Sequence, residues 1–332
     1  KAMGEEEIDR IFYLTAKTVT AEAPMQTFSL LMEKGLRMKL VRLTAKEKMC
    51  VAGSVDCNPK HCPVARGHFD RVNDAVFELL QSGDVFTRET LLKQAEKHQV
   101  CPFEMSLDVS SWSDAVVCDY NYVFDPTVAL KRFFAEGQKG EYLFLVDEAH
   151  NLVERSRKMY SARLVKEELL HVRGILSGVN ARLARRLERC NKLMLEYRRD
   201  CEDYQVLEGI GALYFALFQL YSELDEFLQR PQDFAGYKDV LNFYFELRNF
   251  INIYDLVDGH YVVYSQIISE ERGMAVKNRS DRRGGELPFS GTGSRFCIRL
   301  FCVDPSANLQ NCIERGKSTI FFSATLLPIN YY

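Results

Sequence analysis

Ten cysteines occur in 332 residues, and four of them, Cys50, Cys57, Cys62 and Cys101, stand just upstream of Asp147-Glu148-Ala149-His150. Three thiols within thirteen residues on a Gly/Pro-containing loop can fold around one metal centre, and the fourth can arrive from the end of a helix pair. Soft thiolate sets select zinc or iron–sulfur clusters. The gaps of six and four residues suit zinc ribbons poorly, since those use paired Cys-x2-4-Cys knuckles. Spacing alone leaves the metal open, and leaves open that these are unconnected buried thiols. The other six cysteines lie in strand- or helix-like segments and read as packing residues.

Asp147-Glu148-Ala149-His150 ends the apolar run Tyr142–Val146. A short run of this kind reads as a buried parallel strand, and ligand groups in open α/β sheets gather at the carboxyl ends of such strands. An Asp-Glu pair there suits a magnesium-bound phosphate. Ser323-Ala324-Thr325 follows a second apolar strand, Thr319–Phe322. Either motif alone matches an ordinary strand-ending turn; the two in this order are far more specific. Gly316-Lys317-Ser318-Thr319 imitates the end of a phosphate-binding loop, but that loop needs a glycine five residues earlier, where Asn311 stands, and a helix afterwards, where a strand follows.

The elements that must position these residues alternate in βαβ fashion. Strands are expected at Phe12–Thr15, Lys39–Leu43, Ala115–Cys118 and Tyr142–Val146, with helices over about 25–35, 70–81 and 88–98. Thr87 is the expected N-cap of the last of these. From about 153 to 257 glycine and proline become scarce. There Ile210, Leu213, Tyr214, Leu217, Leu220, Tyr221 and Leu224 recur at spacings of three and four, predicting an all-helical insertion. Tyr261–Tyr264, Phe296–Val303 and Ser318–Phe322 return to strand, around a polar stretch at 270–295 expected to be a mobile loop.

An apolar fraction of 47% supports a sizeable core, and a net charge of −3 excludes a generally basic protein. No apolar run is long enough to span a membrane, no signal peptide is legible, and ten cysteines without one point to a reducing compartment. Local charge differs from the average. Residues 33–71 hold nine positive and four negative side chains around the cysteine loop, which suits a phosphate backbone. A second basic run comprises Arg182, Arg185, Arg186, Arg189, Lys192, Arg198 and Arg199, and its simplest reading is a solvated helix face. Tyr120 and Tyr122 could stack nucleobases or belong to the core.

Tyr13–Thr18, the four cysteines, Cys101-Pro102-Phe103-Glu104, Val117–Tyr122, Asp147-Glu148-Ala149-His150 and Ser323-Ala324-Thr325-Leu326, in this order, resemble the DinG/XPD-type iron–sulfur DNA helicases of superfamily 2. The resemblance implies an α/β, RecA-like parallel-sheet motor domain, incomplete here, interrupted by two insertions. The expected organisation is motor at 1–44, iron–sulfur domain at 45–110, motor with the Asp-Glu-Ala-His box at 111–152, helical arch at 153–285, and motor with motif III at 286–332. It implies ATP-driven 5′-to-3′ translocation on single-stranded DNA and separation of duplex at forks, in repair or replication, by a cytoplasmic, bacterial-type monomer with no membrane partner. Asp147 would hold Mg²⁺ and Glu148 would orient the attacking water. His150 would link the nucleotide site to Ser323, Ala324 and Thr325. Thr15, Lys17 and Thr18 match a motif that touches the DNA backbone. Cys50, Cys57, Cys62 and Cys101 would hold a [4Fe–4S] cluster.

A P-loop is expected before residue 1 and a second motor domain after residue 332, so the sequence reads as the central part of a longer protein, inactive in ATP hydrolysis by itself. Two alternatives belong to other classes: an iron–sulfur redox or iron sensor, and a non-catalytic DNA-binding module.

Overall fold

The computed structural model describes residues 7–16, 18–53, 57–135, 137–230, 234–268 and 294–325, excluding the side chains of Thr18 and Val19. Lys17, Leu326 and most of the 270–295 stretch lie outside the described residues. The chain forms two compact units, one of residues 1–156 with 306–332 and the other of residues 157–305.

In chain order the first unit begins with β1 (Arg10–Thr15), α1 (Glu22–Glu33), β2 (Leu40–Arg42), α2 (Lys46–Met49), α3 (His68–Ser82), β3 (Val85–Phe86), α4 (Arg88–His98) and α5 (Pro102–Ser110). It continues with β4 (Ala115–Asp119), α6 (Asn121–Phe124), α7 (Lys131–Phe134), β5 (Tyr142–Val146) and the start of α8 (Leu152–Met159). The second unit holds β6 (Ala162–Val165), α9 (Lys166–Ser177), α10 (Ala181–Arg199), β7 (Tyr204–Val206), α11 (Gly211–Leu228), α12 (Tyr237–Tyr254), β8 (Tyr261–Ile268) and β9 (Arg295–Cys302). The chain then returns to the first unit for α13 (Ser306–Ile313) and β10 (Ser318–Phe321).

The first unit is built on a six-stranded sheet in the order β10-β5-β1-β4-β2-β3, and every pairing in it is parallel. β4 is apolar at four consecutive positions and buried at all four, as a strand covered on both faces must be. Phe12 of β1 packs beneath the sheet with Phe133, Phe134, Tyr142 and Phe144, at ring separations of 5.1–5.8 Å. Thr87 caps α4 as expected, its hydroxyl accepting from the Thr90 amide, and α4 spans Arg88–His98. The false phosphate loop serves the edge of this core. Gly316 leaves room for the Phe144 ring, which a Cβ at that position would meet at 2.5 Å, and Lys317 pairs with Glu141 at 2.7 Å.

Two expectations about the insertions need correction. The cysteine-bearing stretch 45–110 is not a separate body. It lies in the first unit and supplies β3, which pairs with β2 as an edge of the main sheet. The 153–285 segment is not all-helical, and its unit continues to residue 305. β6, β7, β8 and β9 form an antiparallel four-stranded sheet in the order β6-β9-β8-β7. The Phe296–Val303 run, assigned from sequence to the motor, is β9 of this second sheet. The apolar faces of α9, α10, α11 and α12 bury a continuous core, Leu169, Leu187, Leu217, Leu220, Leu247 and Phe250 among it, together with Ile298 and Leu300 of β9.

Candidate active site at the strand ends

β1, β4, β5 and β10 run parallel, so their carboxyl ends emerge on one edge of the sheet. The chain leaving β5 is tied to its neighbours by backbone hydrogen bonds. Asp147 N–H donates to Leu14 O (2.9 Å), Phe322 N–H to Val146 O (3.0 Å), and Ala149 N–H to Phe322 O (3.1 Å). These bonds fix where Asp147, Glu148, His150 and Ser323 stand.

Glu148 turns the chain with φ +50°, one of two non-glycine residues in the left-handed region among those described. A side chain in that region costs on the order of 1 kcal/mol and persists only where its surroundings enforce it. Here the surroundings are a hydrogen-bonded set. The Ser323 hydroxyl donates to Glu148 Oε2 (3.1 Å), and His150 Nδ1 lies 2.7 Å from Ser323 Oγ and 3.2 Å from Glu148 Oε2. Because the Ser323 hydrogen is directed at the carboxylate, Nδ1 carries the proton and donates to Ser323 Oγ. Thr325 adds its hydroxyl at 3.3 Å from Nδ1 and its amide N–H to Ser323 Oγ at 3.3 Å. The structure thus joins Glu148, His150, Ser323 and Thr325, residues separated by 177 positions at the extremes. Ala324 is exposed and supplies only the connecting backbone.

Asp147 sits beside this set. Its carboxylate accepts from the Tyr13 hydroxyl at 3.2 Å. Burial, and secondarily the Asp147 charge, raise the Tyr13 pKa, so its hydroxyl stays a donor. Asp147 is part-exposed.

The residues expected to touch DNA are placed otherwise, or lie beyond description. Thr15 is buried, its hydroxyl turned to Cys118 O at 3.4 Å. Lys17 is outside the described residues, as is the Thr18 side chain. Tyr120 and Tyr122 are buried, so neither ring offers a face for stacking in this structure. Tyr120 instead donates its hydroxyl to Asp147 O and, at 3.0 Å, to Glu148 O, bracing the turn from below. Burial, then Asp147, raises its pKa and keeps the proton in place.

Sequence reading missed Arg155. One turn into α8, its guanidinium donates to Ala16 O (2.7 Å), Asp119 Oδ1 (2.8 Å) and Asn121 Oδ1 (3.1 Å), and lies 5.7 Å from the centre of the Tyr120 ring. It ties the ends of β1 and β4 to the helix that follows the Asp-Glu-Ala-His turn. An arginine five residues after His150 was its only signal.

All ten cysteines are free thiols. Among the described residues no three His, Cys, Asp or Glu side chains come together as a group able to hold a metal ion. The donor chemistry of Cys50, Cys57, Cys62 and Cys101 fits an iron–sulfur centre, but the four side chains do not converge. Part of a common setting is present. Cys50 follows α2, whose first residue, Lys46, interacts with the Cys57 thiol and pairs with Glu104 of α5 at 3.2 Å. Cys101 precedes α5, where burial pushes its thiol up while the Glu104 and Phe103 amides and the Lys46 charge pull it down. Its own amide donates to His68 Nδ1 at 3.2 Å. Cys62 is buried and Cys57 exposed.

Residues 27–169 match the DEAD_2 family model. Among curated relatives, the "Regulator of telomere elongation helicase 1" of Rattus norvegicus is 23% identical over 73% of this chain and 19% of its own length. The "ATP-dependent DNA helicase CHL1" of Vanderwaltozyma polyspora is 24% identical over 89% of this chain and 38% of its own length. Two solved structures share the fold. "Truncated XPD" has a TM-score of 0.54 at 14% identity, covering 98% of this chain and 84% of that one. "XPD_Helicase" has a TM-score of 0.51 at 13% identity, covering 96% and 51%. The chain is thus similar in sequence to curated DNA helicases over these stretches, and in fold to the two XPD structures. It spans about a fifth of the length of the first relative named here.

Proposed function

We propose that this chain is part of an ATP-dependent DNA helicase that translocates 5′ to 3′ on single-stranded DNA and separates duplex at forks, in repair or replication. The observation that carries the reading is the bonded set of Glu148, His150, Ser323 and Thr325 at the carboxyl ends of β5 and β10. In this reading Glu148 holds the attacking water through its second carboxylate oxygen. Asp147 holds Mg²⁺, which with the nucleotide would supply charge neutralisation at the transferring phosphate. Ser323 and His150 convey the state of that site along the strand ends to β10. Tyr13, Tyr120 and Arg155 are positioning residues: they fix Asp147 and the backbone of the turn.

The four upstream cysteines are proposed to hold a [4Fe–4S] cluster. Their thiolate chemistry and the shared surroundings of Cys57 and Cys101 near Lys46 support that assignment. No helix among the described residues is long and apolar enough to cross a membrane. The ten free thiols support action in a reducing compartment such as the cytoplasm.

The test uses the full-length parent. Glu148→Gln should abolish DNA-stimulated ATP hydrolysis, a loss of a hundredfold or more, on the order expected for a residue that activates the nucleophile, while ATP binding persists. Hydrolysis at the wild-type rate would sink the proposal.

A further inference from the structure

α10 has two faces with different duties. Leu183, Leu187, Cys190, Asn191 and Met194 are buried among its neighbours. Arg182 and Arg186 lie at one flank and are spent on Glu223 of α11, at 2.9 and 2.8 Å. Opposite the buried stripe stand Arg185, Arg189, Lys192 and Arg199, all exposed. At 100° per residue these four fall within a sector about 80° wide, and they extend along about 21 Å of helix. None of them forms an ion pair or hydrogen bond with a described residue, and the sector contains one acid, Glu196.

We propose that this stripe binds the phosphate backbone of single-stranded DNA, an assignment that rests on the helicase reading above. Three of its four cations are arginine, which fits phosphate oxygens two at a time. A protein partner needs a desolvated apolar centre within its contact, and the apolar side chains bordering the stripe are Leu195, which is exposed, and Leu193, which is partly buried against the core. The stripe carries no residues arranged to read bases, so its binding is independent of sequence and falls steeply with salt.

The experiment measures fluorescence anisotropy of labelled oligo-dT against sodium chloride concentration. It compares the chain with R185A/R189A/K192A/R199A, and with K238A/R248A as a control for removing exposed cations elsewhere in the unit. All six positions are exposed, and matching thermal melts check folding. The quadruple variant should lower the slope of log affinity against log salt by about 3, since each phosphate contact contributes about 0.7 on a single strand. It should also lose about tenfold or more in affinity at moderate salt. K238A/R248A should keep the wild-type slope.

A wild-type slope in the quadruple variant, with oligo-dT still bound, overturns the stripe and leaves the helicase reading standing. Failure of the unmutated chain to bind oligo-dT overturns the stripe as well and counts against that reading. An equal loss for a blunt duplex overturns the single-strand assignment. Displacement of oligo-dT by polyglutamate at equal charge concentration overturns the nucleic-acid assignment in favour of an acidic protein.

Discussion

Ser323→Ala is the sharpest test of the strand-end site. Ser323 Oγ accepts from His150 at 2.7 Å and from the Thr325 amide at 3.3 Å, and donates to Glu148 at 3.1 Å. Alanine removes all three bonds and leaves the direct His150–Glu148 contact of 3.2 Å. The two side chains are 32% and 37% exposed, so water replaces much of what is lost. A buried hydrogen bond contributes about 0.5–1.5 kcal/mol net, and the low end applies here, giving about 1 kcal/mol for the set. For a unit of this size that is a fall in Tm of about 2–4 °C. The functional consequence exceeds the structural one. In the full-length parent, basal ATP hydrolysis should drop modestly while its stimulation by DNA is largely lost, because the hydroxyl is the atom through which β10 meets the Glu148 carboxylate. The ¹⁵N spectrum of His150 provides an independent readout: Nδ1 should carry the proton in wild type, and the tautomer balance should move toward Nε2 in the variant. Ser323→Thr, which keeps the hydroxyl, should restore both. If the alanine variant melts within half of the expected shift and leaves the His150 nitrogens unmoved, the inferred hydrogen-bond directions are wrong.

Other predictions concern neighbouring physics. Gln99 ends α4 with φ +53°, so Gln99→Gly should raise stability by about 0.5–1 kcal/mol in a denaturant melt. Burial, and then the Glu168 carboxylate, push Glu246 up to about 8. The native state therefore holds a proton that the unfolded chain releases near the ordinary value of 4.5, and stability should fall as pH rises between the two. Glu246→Gln should flatten that fall and melt above wild type at alkaline pH; a parallel pair of pH profiles would refute the assignment. Leu220→Ala, in the helical core of the second unit, should cost about 2–5 kcal/mol by cavity formation, read from the denaturation midpoint. Cys57→Ser should lower iron and acid-labile sulfide in anaerobically prepared protein well below wild type, and unchanged iron would remove Cys57 from the proposed ligands.

The legible parts of the fold were those whose signals are local and one-directional. β1, β4 and β5 are near-continuous apolar runs, and the Thr87 cap fixed the start of α4 to the residue. The meeting of His150 with Ser323 was implied by the family resemblance rather than by local pattern, and the Glu148–Ser323 bond was not expected. What escaped detection depended on partners far along the chain. β9 is as apolar as a motor strand, and its sequence does not say whether its neighbour is β10 or β8. β3, β6 and β7 are two to four residues long, too short for a period to show. The tyrosines after β4 looked like a polar-aromatic surface because Asp119 and Asn121 flank them. Those polar groups are in fact bonded to Arg155, which leaves the Tyr120 ring free to turn inward.

That inward turn bears on how the site is held. Tyr120 grips the carbonyls of Asp147 and Glu148 from β4's end, and Tyr13 grips the Asp147 carboxylate from β1. Ser323 grips the Glu148 carboxylate from β10. Three different strands thus converge on one two-residue turn, and one of its residues is kept in a left-handed conformation that its side chain opposes. A turn fixed from three sides cannot move unless a strand end moves with it. Displacement of β10 relative to β5 would be felt at Glu148 before it reached Asp147, because of the two acids Glu148 is the one bonded to Ser323. The geometry therefore separates the two acids. Asp147 is anchored to β1 and β4, in the middle of the sheet, and suits a fixed ligand. Glu148 is anchored to β10, at the sheet's edge, and suits a group whose position is conditional.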